Sequence, residues 1–229
     1  MKRLAFALTL ALFFGLVTNA QASERLTVVE LFTSQGCSSC PPADAFLGEL
    51  SMRDDVLALA YHVDYWDYIG WKDIHAKAAY TQRQRTYART FNLRYVYTPQ
   101  MVVNGRHQTS GNDQGSILHA IEKERRNASD VMLQQENPTL TLNGADSTHP
   151  CNVMLVRYLK EETTEVRRGE NRGRRLTDYN IVTSLKKIGE WSGGKQTFNL
   201  TETNDSRYGY GLFLQEKDSL NIVTAFKLH

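Results

Sequence analysis

Thr33-Ser-Gln-Gly-Cys37-Ser-Ser-Cys40-Pro-Pro-Ala-Asp44 is the stretch on which the fold turns. Upstream of it, the apolar run Val28-Val29-Glu30-Leu31-Phe32 has the length of a buried strand. Downstream, Ala43, Phe46, Leu47 and Leu50 recur at i, i+3, i+4 and i+7, the spacing of a helix face. Pro41 and Pro42 are tolerated only in a first helical turn, where a missing N–H breaks no bond, so the helix starts beside the cysteines. Two thiols two residues apart can close a small disulfide ring, and a helix N-terminus favours the thiolate of the first. The pattern is that of a reversible dithiol/disulfide switch at Cys37 and Cys40.

Working outward, Val56 to Val63 is a second strand-length apolar run that ends in His62-Val-Asp64-Tyr-Trp66-Asp-Tyr68. Ala76, Tyr80, Tyr87 and Phe91 share one helical face, while Arg83, Arg85 and Arg89 fall largely elsewhere. Tyr97-Thr98-Pro99-Gln-Met-Val-Val103-Asn104-Gly105 carries the Asn-Gly hairpin signal between apolar residues. Asn112 or Asp113 then caps a helix bearing Ile117, Leu118 and Ile121, with Lys123, Arg125 and Arg126 at its C-terminal end to complement the dipole.

With the order strand, CxxC, helix, strand, helix, Thr-Pro, hairpin, helix in hand, the chain resembles the thioredoxin superfamily. More narrowly, the blocks around Cys37/Cys40, His62-Val-Asp-Tyr-Trp66 and Tyr97 to Gly105 are similar to a family of secreted bacterial proteins of unknown function, which pairs a thioredoxin-like domain with a C-terminal extension. The resemblance implies an α/β fold: a thioredoxin-like domain over 23–137 and an antiparallel β module over 138–229 packed against it. It implies a Cys37–Cys40 disulfide, with Cys37 the nucleophile and Cys40 the resolving thiol. It also implies a cis Pro99 beside Thr98 as one wall of a peptide groove. By the same resemblance Glu30, an acid within an apolar strand, is a candidate for proton transfer near Cys40, with a wet or paired strand face as the equal alternative. His62, Asp64 and Trp66, at the end of the second strand where open α/β sheets place their sites, are candidates to line the groove; the other reading is that the aromatic rings there cap the sheet edge as ordinary packing. Two departures from well-known thioredoxins stand out: Gly36 precedes Cys37 where an aromatic is usual, and Ser-Ser separates the cysteines.

Met1-Lys2-Arg3, the apolar run Leu4 to Val17 and Ala20-Gln21-Ala22 have the layout of a secretory signal peptide over 1–22, cut after Ala22. An exported protein, periplasmic or secreted, with no membrane span after cleavage is expected. Loss of Lys2 and Arg3 takes the basic residues from 27 to 25 (27 − 2), against 25 acids. A near-neutral chain of 207 residues (229 − 22) lacks the basic footprint of a nucleic-acid binder. Three cysteines are too few for a disulfide-stapled miniature fold, and fit a redox pair plus a spare, Cys151, read as a buried thiol.

The function expected is a thiol–disulfide oxidoreductase acting on protein or peptide disulfides, with a redox partner protein and no cofactor. Potentials of such proteins span roughly −270 to −120 mV, and residue identity alone does not choose within that range. Three alternatives stand beside it. One is a non-catalytic thioredoxin-like binding module with a structural disulfide, although so small a ring removes little chain entropy. Another is zinc held by Cys37, Cys40, His149 and Cys151. The last is copper held by Cys37, Cys40 and His62.

Beyond Pro138, the runs Thr139–Leu142, Asn152–Leu159, Lys195–Leu200, Gly209–Gln215 and Ile222–Leu228 read as strands. Ile181, Val182, Leu185 and Ile188 fit a short helix, with strand nearly as good. Val166-Arg-Arg-Gly-Glu-Asn-Arg-Gly-Arg-Arg-Leu176 is dense in Arg and Gly. It reads as a solvated loop or as a binder of an anion through arginine forks.

Overall fold

The structure, a computed structural model, describes residues 26–127, 129–145, 149–200 and 205–228. The signal-peptide reading and its cleavage after Ala22 lie outside these residues. Among the described residues no helix is long and apolar enough to cross a membrane.

The first half follows the expected order: β1 (Thr27–Thr33), α1 (Pro41–Ser51), β2 (Val56–His62), α2 (Ala78–Thr90), the hairpin β3 (Gln100–Val103) and β4 (His107–Ser110), and α3 (Gln114–Arg125). Local chemistry accounts for the boundaries. Pro occupies the first turn of α1, and the Asp113 carboxylate accepts from Ser116 N–H (3.1 Å) to cap α3. Asn104 and Gly105, at φ 47° and 65°, make the β3–β4 turn. Asn104 Oδ1 also accepts from Val28 N–H (2.8 Å), which locks the hairpin to β1.

The second half contributes β5 (Met132–Glu136), β6 (Thr139–Asn143), β7 (Cys151–Glu165), β8 (Arg175–Trp191), β9 (Gln196–Asn199), β10 (Tyr208–Glu216) and β11 (Ile222–Leu228). The Ile181–Ile188 segment is strand, not helix. Its branched side chains lie within β8, paired antiparallel with β7 from Cys151↔Trp191 to Glu165↔Arg175. β8 joins the first half edge to edge through a single parallel register pair, Ala60↔Ile181. The result is one eight-stranded sheet in the order β11-β10-β7-β8-β2-β1-β3-β4, plus a three-stranded sheet β5-β6-β9. Pro138 lies in the turn between the paired strands β5 and β6.

β1 and β2 are buried along their whole length. Alternation sends Val29, Leu31, Ala58 and Ala60 to one face, against Phe46, Leu47 and Leu50 of α1 and Ile117 of α3. It sends Val28, Phe32, Leu57, Leu59 and Tyr61 to the other, against Tyr80 and Tyr87 of α2 and Phe213 of β10. At about 1.5–3 kcal/mol for each large apolar side chain removed from water, these two faces hold the sheet's centre rigid. A third cluster, with Leu140, Trp191, Phe198, Leu212 and Cys151, seats the small sheet on the large one.

Candidate redox site

Cys37 and Cys40 are disulfide-bonded across a tight turn, with Cα atoms 5.4 Å apart, and Cys40 is the N-cap of α1. Chain reversal is built from Cys37 N–H to Ser34 O (3.1 Å) and Cys40 N–H to Cys37 O (3.3 Å). The Thr98–Pro99 peptide is cis. It is drawn to the start of α1 by Gly111, whose N–H donates to Pro99 O (2.9 Å) and where a Cβ would lie 2.9 Å from both Ala43 Cβ and Pro99 Cβ. Asn112 Nδ2 donates to Ser39 O (3.1 Å) from the same turn. Trp66 Nε1 donates to Thr98 Oγ1 (2.8 Å), and a Cβ on Gly36 would meet Trp66 Cβ at 3.1 Å and Ile69 at 3.3 Å. The absence of an aromatic before Cys37 thus has a physical reason: Trp66 and Ile69 already occupy that space. Cys37, Cys40, Thr98, Pro99 and Trp66 assemble at one end of the sheet.

The other sequence candidates go elsewhere. Glu30 points from β1 to the α2 face, away from the face that carries α1. There its carboxylate accepts from Arg83 Nε (2.7 Å) and from the Tyr87 hydroxyl, and Arg83 Nη1 continues to Gln215 Oε1 of β10 (3.1 Å). Burial alone would lower the pKa of Arg83, but Glu30 outweighs it and keeps the guanidinium charged. Glu30 is therefore one half of a buried ion pair that ties β1, α2 and β10 together, and proton exchange with Cys40 is not assigned to it. The Asp64 carboxylate accepts from Thr81 Oγ1 (2.6 Å) and holds the first turn of α2. His62 is 1 % exposed and lies behind the cysteine turn instead of in a groove.

What His62 joins is a buried cluster of charged groups that motif reading missed. His62 Nδ1 lies 2.7 Å from Asp73 Oδ2, and the same oxygen accepts from Gln35 N–H (2.8 Å). Gln35 Nε2 donates to Asp178 Oδ2 of β8 (2.9 Å), and Gln35 Oε1 accepts from Trp71 Nε1 (3.2 Å). Burial alone would depress His62, but Asp73, with help from Asp178 and Asp44, pushes it up to about 9. Asp73 feels burial too, yet the His62 cation holds it down to about 2. Asp44, one helical turn after Cys40 and 6 % exposed, is pushed up to about 8 by burial first and by the negative charge of Asp178 second. At neutral pH it is largely a protonated carboxyl. Its place at i+4 from Cys40 and i−3 from Leu47, on the apolar side of α1, was the available signal; Asp73 and Asp178 had none.

The disulfide is also covered. Val166 to Arg174 forms the β7–β8 tip, closed by Val166 N–H to Arg174 O (3.0 Å) and Gly173 N–H to Val166 O (2.8 Å). Asn171, fully buried, donates from Nδ2 to Gln35 O and Cys37 O (2.9 Å each), and Glu170 Oε2 accepts from Ser38 N–H (3.2 Å). Cys37 and Cys40 are both 0 % exposed. Cys151 lies in the third core cluster, its thiol donating to His149 O (3.4 Å) and pushed up to about 11 by burial. Among the described residues no three His, Cys, Asp or Glu side chains gather as a metal's ligand set.

A central sheet with a CxxC disulfide at the head of its first helix and a cis-proline loop against it defines a thioredoxin-like protein carrying a redox-type module. The chain belongs to the bacterial family described as "Protein of unknown function (DUF1223)", whose sequence profile matches residues 28–215. A protein of Agrobacterium tumefaciens solved by X-ray crystallography is similar at 30% identity and TM-score 0.73, over 90% of this chain and 96% of that one. HBP35 of Porphyromonas gingivalis shares the fold at TM-score 0.54 and 14% identity, over 90% of this chain and 75% of its own. No curated protein matches the chain.

Proposed function

We propose that this protein is an exported thiol–disulfide oxidoreductase that acts on protein or peptide disulfides through Cys37 and Cys40. The observation that carries the reading is the disulfide at the head of α1 with the cis Thr98–Pro99 loop packed against the same helix start. In the reducing direction, the Cys37 thiolate attacks one sulfur of a partner disulfide. The partner S–S bond breaks, its electron pair leaves on the second partner sulfur, and a mixed disulfide forms. Cys40 then loses its proton and attacks Cys37 Sγ, which restores the internal disulfide and releases the partner as a dithiol. The oxidising direction is the reverse of these steps. No cofactor is needed, because electrons move as sulfur–sulfur bonds are exchanged. Asp44, poised at about 8 one turn from Cys40, is the group we assign to exchange that proton.

One observation favours a second reading, a binding module with a structural disulfide: both cysteines are 0 % exposed, and Asn171 is hydrogen-bonded to the Cys37 carbonyl. Trapping separates the two. A Cys40→Ser variant exported by its host should accumulate mixed disulfides at Cys37, resolved on non-reducing gels and lost in Cys37→Ser. An absence of trapped partners, with a disulfide that resists glutathione buffers, would leave the structural reading standing.

A further inference from the structure

Five arginines crown the β7–β8 tip, Arg167, Arg168, Arg172, Arg174 and Arg175, and all are exposed. Against Glu165 and Glu170 they give the segment 165–175 a net charge of +3 (5 − 2) in an otherwise near-neutral chain. Among the described residues none of the five is ion-paired to a carboxylate. Four of them, Arg167, Arg172, Arg174 and Arg175, line a hollow of about 340 Å³, together with one carboxylate, Glu165. This hollow is linked by hydrogen bonds to the backbone of Cys37. Arg174 Nη1 donates to Asn171 Oδ1 (2.9 Å), and the same Asn171 side chain donates to the Cys37 carbonyl.

We propose that the hollow binds an acidic segment of the redox partner, and that binding there draws the 166–174 tip off Cys37. The inference rests on disulfide exchange at Cys37 being the protein's reaction, and it names what the reaction recognises. Guanidinium forks pair with carboxylates in two parallel bonds, so a glutamate or aspartate in the hollow takes Arg174 from the neutral amide oxygen of Asn171. Asn171 then loses one of the three side-chain bonds that seat it, and the tip's hold on the Cys37 backbone loosens. Glu165 tunes the choice: it tolerates a single-charged carboxylate better than a doubly charged phosphate. A partner without acidic residues near its cysteines meets a closed site, so exchange is confined to partners that carry the right charge.

The test uses the oxidised full-length protein and measures the rate at which dithiothreitol reduces Cys37–Cys40, by acid quench and thiol alkylation. Hexaglutamate should speed reduction by about tenfold, the equilibrium worth of one charge-assisted hydrogen bond. The gain should fade with added salt and disappear in Arg172→Gln/Arg175→Gln. Arg174→Gln, an exposed change that leaves the core intact, and Asn171→Ala should both be fast without any peptide. A neutral peptide of equal length should do nothing. The inference is overturned if hexaglutamate leaves the rate unchanged, if inorganic phosphate at equal ionic strength reproduces its effect, or if Arg174→Gln is reduced at the parental rate. These outcomes are separable from the trapping result. Trapped partners with no response to hexaglutamate overturn the gate alone; a response without trapped partners overturns the oxidoreductase and, with it, the redox partner as the occupant of the hollow.

Discussion

Asp44→Asn replaces a carboxyl that the fold keeps protonated with a group of the same shape that never ionises. In the unfolded chain Asp44 titrates at 3.8, and in the folded protein at about 8. Between those values the folded state holds a proton that the unfolded state has released, so this group makes stability fall as pH rises. At 1.36 kcal/mol per pKa unit, the penalty grows by roughly 3 kcal/mol between pH 5 and pH 7, as an upper limit. Asp44→Asn should therefore match the parent near pH 4 and exceed it increasingly up to pH 7. His62 and Asp73 stay out of this comparison below pH 6.5. The His62 contribution is complete below 6.5 and lost as pH rises through about 9, and that of Asp73 is complete above 3.8 and lost as pH falls through about 2. Urea unfolding of the oxidised protein at pH 4.5, 5.5 and 6.5 measures the difference directly. If the gap between variant and parent stays flat over that range, Asp44 is ionised in the fold and its reading as a buried, protonated carboxyl fails. In the reduced protein the same variant should lose about 10²-fold in the rate of disulfide closure, the ordinary worth of a positioned proton acceptor.

Two further perturbations probe what surrounds the site. Glu30→Leu or Arg83→Met alone should cost about 3–5 kcal/mol by stranding a buried partner, whereas Glu30→Leu with Arg83→Met should recover most of the loss. A double-mutant cycle in urea checks this, and simple additivity would show that the pair is not a closed unit. Gly111→Ala pushes a methyl between Ala43 and Pro99, so a loss of about 1–3 kcal/mol is expected from overpacking, seen as a lower urea midpoint. A neutral result there would mean that the proline loop and α1 part easily.

The elements legible in the sequence are those whose signals are local. Cys37 to Pro42 announces a turn and a helix start within six positions, Asp113 caps three residues ahead, and Asn104-Gly105 is a turn by itself. Thr98-Pro99 was readable only through resemblance, since nothing in its own neighbours says that it meets α1. Arg83 misled because one arginine among three on a helix looks solvated; its burial depends on Glu30, 53 residues earlier, and on Gln215 in a strand of the other half. The same distance problem hid Asp178 and Asn171, which reach Gln35 from more than a hundred residues away. The Arg/Gly block announced its charge but not its place, because the register of β7 on β8 decides what its tip covers.

That place sets an order of events during synthesis. The cysteines, their helix and the proline loop all lie before residue 112, while the cover begins at Val166. As the chain emerges, Cys37 and Cys40 are open to whatever oxidises or reduces them, until β7 and β8 dock on β2. Afterwards Asn171 of the tip is hydrogen-bonded to the Cys37 carbonyl. A truncation before β7 strips the cover and, at the same stroke, unpairs β2 at Ala60. Its sulfur chemistry would describe the nascent chain and not the finished protein.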